Sequence, residues 1–505
     1  MIKDLYKRYP LQVIVGCGLL FRLIAVVFSK GFGMHDDHFL VIEAGKSFAD
    51  GFDYNNWLPW NNGGHPSGHS WFYVGLHYLL FKLLNTTGPD DPQGIMYIVR
   101  FIHALYSMLV ITVGYQITRK LGTEKDALRA AWLLSLLWFI PSTSVRNLVE
   151  WVCVPPLLLS SLYLIKSEEE NGKNRNLIWS GVFAGIAMGI RFQSLFFVAG
   201  TGIYMLWKGR MKEGFILAGA FVAAFFLTQS ADLFFYHRPF VEVGEYINYN
   251  LIHSTTYFDR PWYQYLLTVG GMLIPPVSIF LIIGYVKSWK KALVIVLPSL
   301  AFFIFHSYFP NKQERFILPF IPFFVIAGVV GWGMMREGKI MSGAERSSWI
   351  FFWVLNIAGL FVLSTTYSKR SMAESMYFLY KQPDFNNFVM EVSHRDAPQW
   401  PPQFYSGKWN HAFCIYKDYP LDKFAAYIDT IPEDRYPHYI LFFQEDDIWN
   451  RIVRFEHATG RHLEYVFKAE PSWFDSLLHW LNPRNKNEPV YIFRERKLEN
   501  MQGEL

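Results

Sequence analysis

Apolar runs long enough to cross about 30 Å of hydrocarbon recur through residues 1–368 and then stop. They fall near 10–29, 98–118, 127–143, 147–165, 177–190, 192–207, 214–235, 264–285, 292–308, 316–335 and 347–367, which predicts about eleven transmembrane helices. The first long gap, residues 30–97, has its own pattern. Over 38–50 and 66–84 apolar residues return at helical spacing (Trp71, Phe72, Val74, Leu76, Leu79, Leu80 and Leu83) but polar ones interrupt them. That is the pattern of short amphipathic helices lying on a membrane surface. Beyond about residue 370 the runs shorten. HYILFF (438–443), EYVFKA (464–469) and EPVYIF (488–493) read as strands, and DFNNFVMEVS (384–393), DKFAAYIDT (422–430) and IWNRIVRFEHA (448–458) as helices. The pattern therefore divides the chain into a multi-span α-helical membrane part, 1–368, and a small α/β domain, 369–505.

Charge orients this pattern. Basic residues mark the N-terminus (Lys3, Lys7, Arg8) and every second loop thereafter: Arg119/Lys120/Lys125, Lys166/Lys173/Arg175, Lys208/Arg210/Lys212, Lys287/Lys290/Lys291 and Arg336/Lys339/Arg346. Such loops face the cytoplasm, so the N-terminus is expected inside and, after an odd number of spans, the C-terminal domain outside. Composition agrees with a mixed chain. Of 505 residues, 52% are hydrophobic and 18% charged, against about 25% charged in soluble proteins, yet the mean hydropathy of +0.13 is too low for a chain that is membrane throughout. Three cysteines exclude a disulfide scaffold and a cysteine zinc cluster. The net charge of +5 names no partner.

Ionisable residues on the outer side are the candidates for chemistry. Asp36-Asp37 stands just beyond the first span with His35 and His38 on either side. Two adjacent carboxylates repel, which raises the pKa of one and suits a general base or a metal ligand. Against that, adjacent acids are commonly solvated loop starts. In HSYFPNKQERFILPFIP (306–322), Lys312, Glu314 and Arg315 lie between two apolar runs, where ionisable groups are costly unless paired or functional. The two cations could hold a phosphate, Arg315 with a planar fork; the bland alternative is snorkelling at a helix end. In TTYFDRPWYQYLL (255–267), Arg260 could assist with phosphate, and Trp262 and Tyr263 could stack on a sugar or sit in an interfacial aromatic belt. His65 and His69 lack an evident carboxylate at ligand spacing. His394, Asp396 and His411 are scattered among loops and form no triad.

These segments resemble the membrane-integral GT-C glycosyltransferases, and among them glycosyltransferase family 22, the dolichyl-phosphate-mannose-dependent α-mannosyltransferases. Asp36-Asp37-His38-Phe39 matches the family's D-E-x-F acidic motif, Pro261-Trp262-Tyr263-Gln264-Tyr265 its P-W-x-W/Y-Y segment, and Asn311-Lys312-Gln313-Glu314-Arg315-Phe316-Ile317-Leu318-Pro319 its H-K-E-x-R-F-x-x-P segment. Asn311, Gln313 and Asp37 depart from the family's His, first Glu and Glu. SVRNLVEW (144–151) and GIAMGIRFQS (185–194) match its arginine regions more loosely.

The resemblance implies a GT-C-like fold and an inverting transfer of a sugar, mannose by family, from a polyprenyl-phosphate donor to a glycan or glycolipid acceptor at the outer or luminal face. Asp36 or Asp37 is then the base, with Asp36 favoured, and Lys312, Arg315 and Arg260 hold the departing phosphate. His38, Trp262, Tyr263, Glu314 and His306 are assigned to substrate binding. The scheme requires no metal or cofactor, with a divalent ion left open, and no nucleic acid partner. A flippase or transporter of lipid-linked sugars is disfavoured because the charges cluster on one face and no internal repeat is visible; an oligosaccharide ligase or polymerase is the other alternative. The expected location is a bacterial inner membrane, with the endoplasmic reticulum as alternative.

Overall fold

A computed structural model describes residues 2–61, 65–169, 173–256, 258–337, 341–392, 400–416, 419–485 and 487–496. His394 and Asp396 lie outside these residues. The chain forms two compact units. The first contains 1–29, 55–77 and 99–365; the second contains 30–54, 78–98 and 366–505.

The first unit is helical. Among the described residues, five helices are long and apolar enough to cross a membrane: Pro10–Phe28, Pro92–Leu121, Val149–Lys166, Met211–Tyr236 and Gly343–Thr365. The bent pair Gln264–Met272 and Val277–Lys287, folded by 119°, makes a sixth if counted as one span. Phe192–Trp207, Leu293–Tyr308 and Phe320–Met335 are apolar but shorter. By length and composition the structure thus supports five or six spans; the about eleven read from apolar runs include helices that are short or interrupted. One interruption has a clear cause. The run 127–143 splits into helices Glu124–Leu136 and Ile140–Val145, the latter carrying Pro141 in its first turn. The backbone exposed at the break is capped by the buried Asn356, whose amide donates to the Leu136 carbonyl (2.7 Å) and accepts from the Trp138 N–H (3.0 Å). A break inside an apolar body has to be repaired in this way.

Buried polar groups also tie the first helices together. The fully buried Arg22 donates to Ser107 Oγ (2.8 Å) and to the carbonyls of Gly18 and Ser135 (both 3.1 Å), joining three helices. Elsewhere the packing relies on missing side chains. A Cβ on Gly331 would stand 1.8 Å from the Gly284 carbonyl oxygen, and one on Gly284 would stand 2.0 Å from that of Gly328. Helices Val277–Lys287 and Phe320–Met335 therefore meet backbone to backbone, the small-residue contact common within membranes.

The second unit is built on a five-stranded sheet of order β2-β1-β3-β5-β4. Its strands are β1 (Phe388–Val392), β2 (Ala412–Tyr416), β3 (Tyr439–Phe443), β4 (His462–Ala469) and β5 (Val490–Arg496). The β2, β1 and β3 strands are parallel, and β5 runs antiparallel to both β3 and β4. Helices Leu421–Ile428 and Ile448–Thr459 pack Phe424, Ile428, Ile452 and Phe455 against Val389, Ile440, Phe442 and Phe493. The segment 384–393, expected to be helical, instead supplies β1. All five of its strand residues are buried, so the alternation that marks a half-exposed strand is absent. Glu391 within it is buried in an ion pair with Arg451, whose Nε lies 3.0 Å from its carboxylate.

The glycine contact yields a stability prediction. Gly331→Ala should lower the thermal unfolding temperature in detergent, because overpacking a tight contact typically costs about 1–3 kcal/mol. Gly202→Ala, where nothing lies within 4 Å of the added carbon, should leave it unchanged. Equal behaviour of the two variants would refute the close-approach reading.

Candidate active site

In the first unit, three segments bring charged side chains to one buried carboxylate. Glu150 is fully buried. Arg191 Nη2 lies 3.1 Å from its Oε1, and Arg315 Nε 3.6 Å from the same oxygen. Both guanidinium carbons sit 5.2 Å from the centre of the Phe316 ring, a distance at which a cation is attracted to the ring face. Amides complete the frame. Gln193 Oε1 accepts from Arg191 (2.6 Å), and Gln313 Oε1 accepts from Arg315 Nε (2.9 Å). His306 is buried; its Nε2 lies 3.3 Å from Gln193 Oε1, and its Nδ1 is within 2.8 Å of the Phe302 carbonyl. Arg315 and His306 thus join one group of ion pairs and hydrogen bonds through residues assigned no role from sequence: Glu150, Arg191 and Gln193. The available signal was an ionisable residue inside an apolar run, in the two segments that resemble the family's arginine regions.

Lys312 is placed differently. Its ammonium is buried and donates to the carbonyls of Arg260 (2.9 Å) and Phe309 (2.6 Å). Burial pulls its pKa below the ordinary lysine value, with Asp259 opposing. Around it, 258–260 and 310–312 zip together: Lys312 N–H donates to the Phe258 carbonyl (2.9 Å), Arg260 N–H to that of Pro310 (3.2 Å), and Asp259 bridges Asn311. Lys312 therefore staples the two motif segments. Arg260, Trp262, Tyr263 and Glu314 are exposed, with Trp262 and Tyr263 edge to face at 5.8 Å. Tyr265 in the same segment is buried and donates to the Gln313 carbonyl (3.0 Å).

The acidic motif belongs to the second unit. Asp36 and Asp37 lie in a short helix, His35–Asp37, that runs without a break into a π-helical turn, His38–Glu43, and then helix Ala44–Ala49. Successive helical residues point about 100° apart, and the two carboxylates differ accordingly: Asp37 is buried, Asp36 partly exposed. The turn behind them is fixed by chain from far along the sequence. Glu43, fully buried, accepts the Phe404 N–H at Oε1 (2.8 Å). His38 lies 3.7 Å from that oxygen and stacks between Phe32 (4.9 Å) and Tyr405 (5.7 Å). Further on, Trp409 Nε1 donates to Asp50 (2.8 Å). Burial pushes the Glu43 carboxyl up to about 8, and burial together with His35 takes the His38 imidazole down to about 3. At neutral pH both are uncharged, which is how an apolar pocket tolerates them. His38, assigned to substrate binding from sequence, is enclosed by aromatic rings. His65 is exposed, and His69 stacks on Trp57 at 6.5 Å. Among the described residues, no three His, Cys, Asp or Glu side chains gather as a metal-binding group.

A model of the Alg9-like mannosyltransferase family matches residues 13–395. The chain belongs to that family. It is 23% identical over 431 residues to GPI mannosyltransferase 3 of Yarrowia lipolytica, covering 79% of this chain and 78% of that one. It is 24% identical over 354 residues to Mannosyltransferase APTG1 of Arabidopsis thaliana, covering 67% of this chain and 61% of that one. Among solved structures, ArnT from Cupriavidus metallidurans bound to undecaprenyl phosphate superposes with a TM-score of 0.59 at 13% identity, covering 95% of this chain and 97% of that one. The Archaeoglobus fulgidus oligosaccharyltransferase follows at a TM-score of 0.51 and 12% identity, covering 92% and 73%. These structural likenesses establish the GT-C fold, and the family makes the chain a membrane glycosyltransferase, which decides against the transporter reading.

The Glu43 pocket gives a pH prediction. The folded carboxyl titrates near pH 8 and an unshifted one near 4.5. Between those values the folded protein keeps a proton that the unfolded chain has lost, so stability falls as pH rises. Thermal unfolding temperature should therefore decline across this window. Glu43→Gln, which retains an acceptor for the Phe404 amide, should flatten the decline. An identical slope in the variant would mean that Glu43 is ionised in the fold.

Proposed function

We propose that this enzyme is an inverting α-mannosyltransferase that moves mannose from a polyprenyl-phosphate donor to a hydroxyl of a glycan or glycolipid acceptor at the extracytoplasmic face. The observation that carries the reading is the pair of guanidiniums, Arg191 and Arg315, gathered on buried Glu150 over one aromatic ring. Preorganised donors of this kind, aimed where charge develops, are often worth about 10²–10³ in rate. Undecaprenyl phosphate bound to the ArnT neighbour and the names of the GPI mannosyltransferase relatives support a lipid-phosphate donor and a glycolipid acceptor.

In the reaction, the acceptor oxygen attacks the anomeric carbon as the bond from that carbon to the phosphate oxygen breaks. Asp36, the more accessible acid of its pair, takes the acceptor proton, a step worth roughly 10²–10⁴. The polyprenyl phosphate leaves with the bonding electrons, its developing charge held by Arg315 in bidentate fashion with Arg191 beside it. Lys312 contributes its field while holding the segment that carries Arg260, and the exposed Trp262 and Tyr263 offer aromatic faces to the sugar. Asp37, being buried, orients its neighbour. The sheet domain contributes acceptor recognition. The basic loops support a cytoplasmic N-terminus.

Transfer from a synthetic polyprenyl-phosphate mannose tests this assignment. Arg315→Lys should lose about as much rate as Arg315→Ala, on the order of 10² or more, because a point charge cannot replace two parallel N–H donors. Near-normal activity in Arg315→Lys would reduce the segment to a membrane anchor. Asp36→Asn should abolish transfer, and Asp37→Asn should weaken it. If both aspartate variants transfer at the normal rate, the acidic motif is not the base.

A further inference from the structure

Helix Trp473–Leu481 in the second unit has two unlike faces. Its inner face is fixed by a reciprocal cap: Ser472 Oγ accepts the Asp475 N–H (3.1 Å), and the Asp475 carboxylate accepts the Ser472 N–H (3.4 Å). The same carboxylate, 1% exposed, also takes the N–H groups of Lys369 (3.0 Å) and Arg370 (3.1 Å). Its outer face is Trp473, Leu477, Trp480 and Leu481, at positions i, i+4, i+7 and i+8 of one helical stripe. These side chains are 63%, 38%, 76% and 64% exposed. So contiguous an apolar stripe, with a tryptophan near each end, marks a binding surface.

We propose that Trp473–Leu481 is a membrane-surface anchor, its Trp473, Leu477, Trp480 and Leu481 face lying in the lipid interface. Two observations select lipid as the occupant. Tryptophan is the residue enriched where hydrocarbon meets headgroups, and a short helix with one apolar stripe is the form that lies in that plane. The tether is the second. Asp475 grips the backbone of Lys369 and Arg370, four and five residues past the apolar helix Gly343–Thr365, and four residues of extended chain reach at most about 14 Å. The exposed Trp449 and Val453 of helix Ile448–Thr459 serve as the comparison.

The anchored backbone also holds the start of the acidic loop. Ser368 N–H donates to the Lys30 carbonyl (3.1 Å), and Gly31 pairs with Ser368 in a parallel bridge. Gly31 has φ +75, and a Cβ there would stand 1.8 Å from the Ser368 carbonyl oxygen, so only glycine fits. Five residues later comes Asp36. The anchor thus sets the depth of the acidic motif relative to the headgroups. This consequence rests on the function proposed above; the lipid contact does not.

The test uses the full chain in phosphatidylcholine vesicles with and without bromine on the acyl chains near the headgroup. The protein has 18 tryptophans, so the signal is the fluorescence lost on substitution. The portion removed by Trp473→Phe with Trp480→Phe should be quenched at least twofold by brominated lipid and little by iodide in the buffer. The portion removed by Trp449→Phe should show the reverse. If the Trp473/Trp480 portion is quenched by iodide and not by bromine, or by neither, the anchor is refuted: the face is then in water or covered by protein. Leu477→Asp with Leu481→Asp probes the consequence, and should abolish the lipid quenching and lower mannose transfer at least fivefold. Lost quenching with unchanged transfer would overturn the link to Asp36 and leave the anchor standing. A protein inactive before substitution, with the lipid quenching intact, would count against the function alone.

Discussion

A carboxylate taken out of water must be neutralised, paired or hydrogen-bonded, and this constraint fixes the segments that carry the candidate site. Glu150 meets it by pairing. Two arginines from segments more than 120 residues apart in sequence converge on one of its oxygens, and each is also held by a glutamine amide. Removing such a partner typically costs roughly 3–5 kcal/mol, since a buried charge is left uncompensated. In the proposed reaction the acid would act as a positioning residue, aiming two cations that are already in place when a phosphate arrives, so that little reorganisation is needed as charge develops.

Elsewhere the same constraint has other solutions. Glu43 stays protonated and takes a single amide from Phe404. Asp475 gathers three backbone N–H groups. Glu242 accepts from Gly68 N–H (2.6 Å), Ser67 Oγ (3.0 Å) and Tyr236 hydroxyl (2.8 Å), which ties the segment 67–68 to helices Ser230–Tyr236 and Val241–Ile252. Each acid joins segments distant in sequence at a point where no helix or strand does so. Segments with few backbone hydrogen bonds of their own are thereby held in place.

The helical membrane part and the family motifs were legible because both are local signals: apolar runs, and short patterns such as Lys312-x-x-Arg315-Phe316. What escaped was everything set by partners far along the chain. Strand β1 read as a helix because its burial on two faces removes the period of two and its one charged residue, Glu391, has its partner sixty positions away at Arg451. Glu150 and Arg191 were visible as ionisable residues in apolar runs, but nothing local says that they meet. Lys312 was legible as a cation and illegible as a staple, since its acceptors are carbonyls that every residue possesses. The apolar runs do not mark where a helix is interrupted for a related reason: a break such as the one Asn356 repairs depends on a side chain over two hundred residues away.

Compactness cuts across chain order, and that bears on how the acidic motif works. Residues 30–54 and 78–98 form one compact unit with the chain after Thr366, so Asp36 and Asp37 are supported by side chains and amides that are synthesised last. Phe404, Tyr405 and Trp409 hold the π-turn and the helix that follows it. A π-helical turn forgoes the tighter α-helical bonding and is found frequently at functional sites; here it follows directly on the acidic pair, and its end residues His38 and Glu43 face Tyr405 and the Phe404 amide. The acceptor recognition proposed for the sheet domain and its support of the acidic loop are separable in physical terms. The first would depend on its exposed surface. The second depends on one buried turn, 403–406, and would persist if that surface were altered.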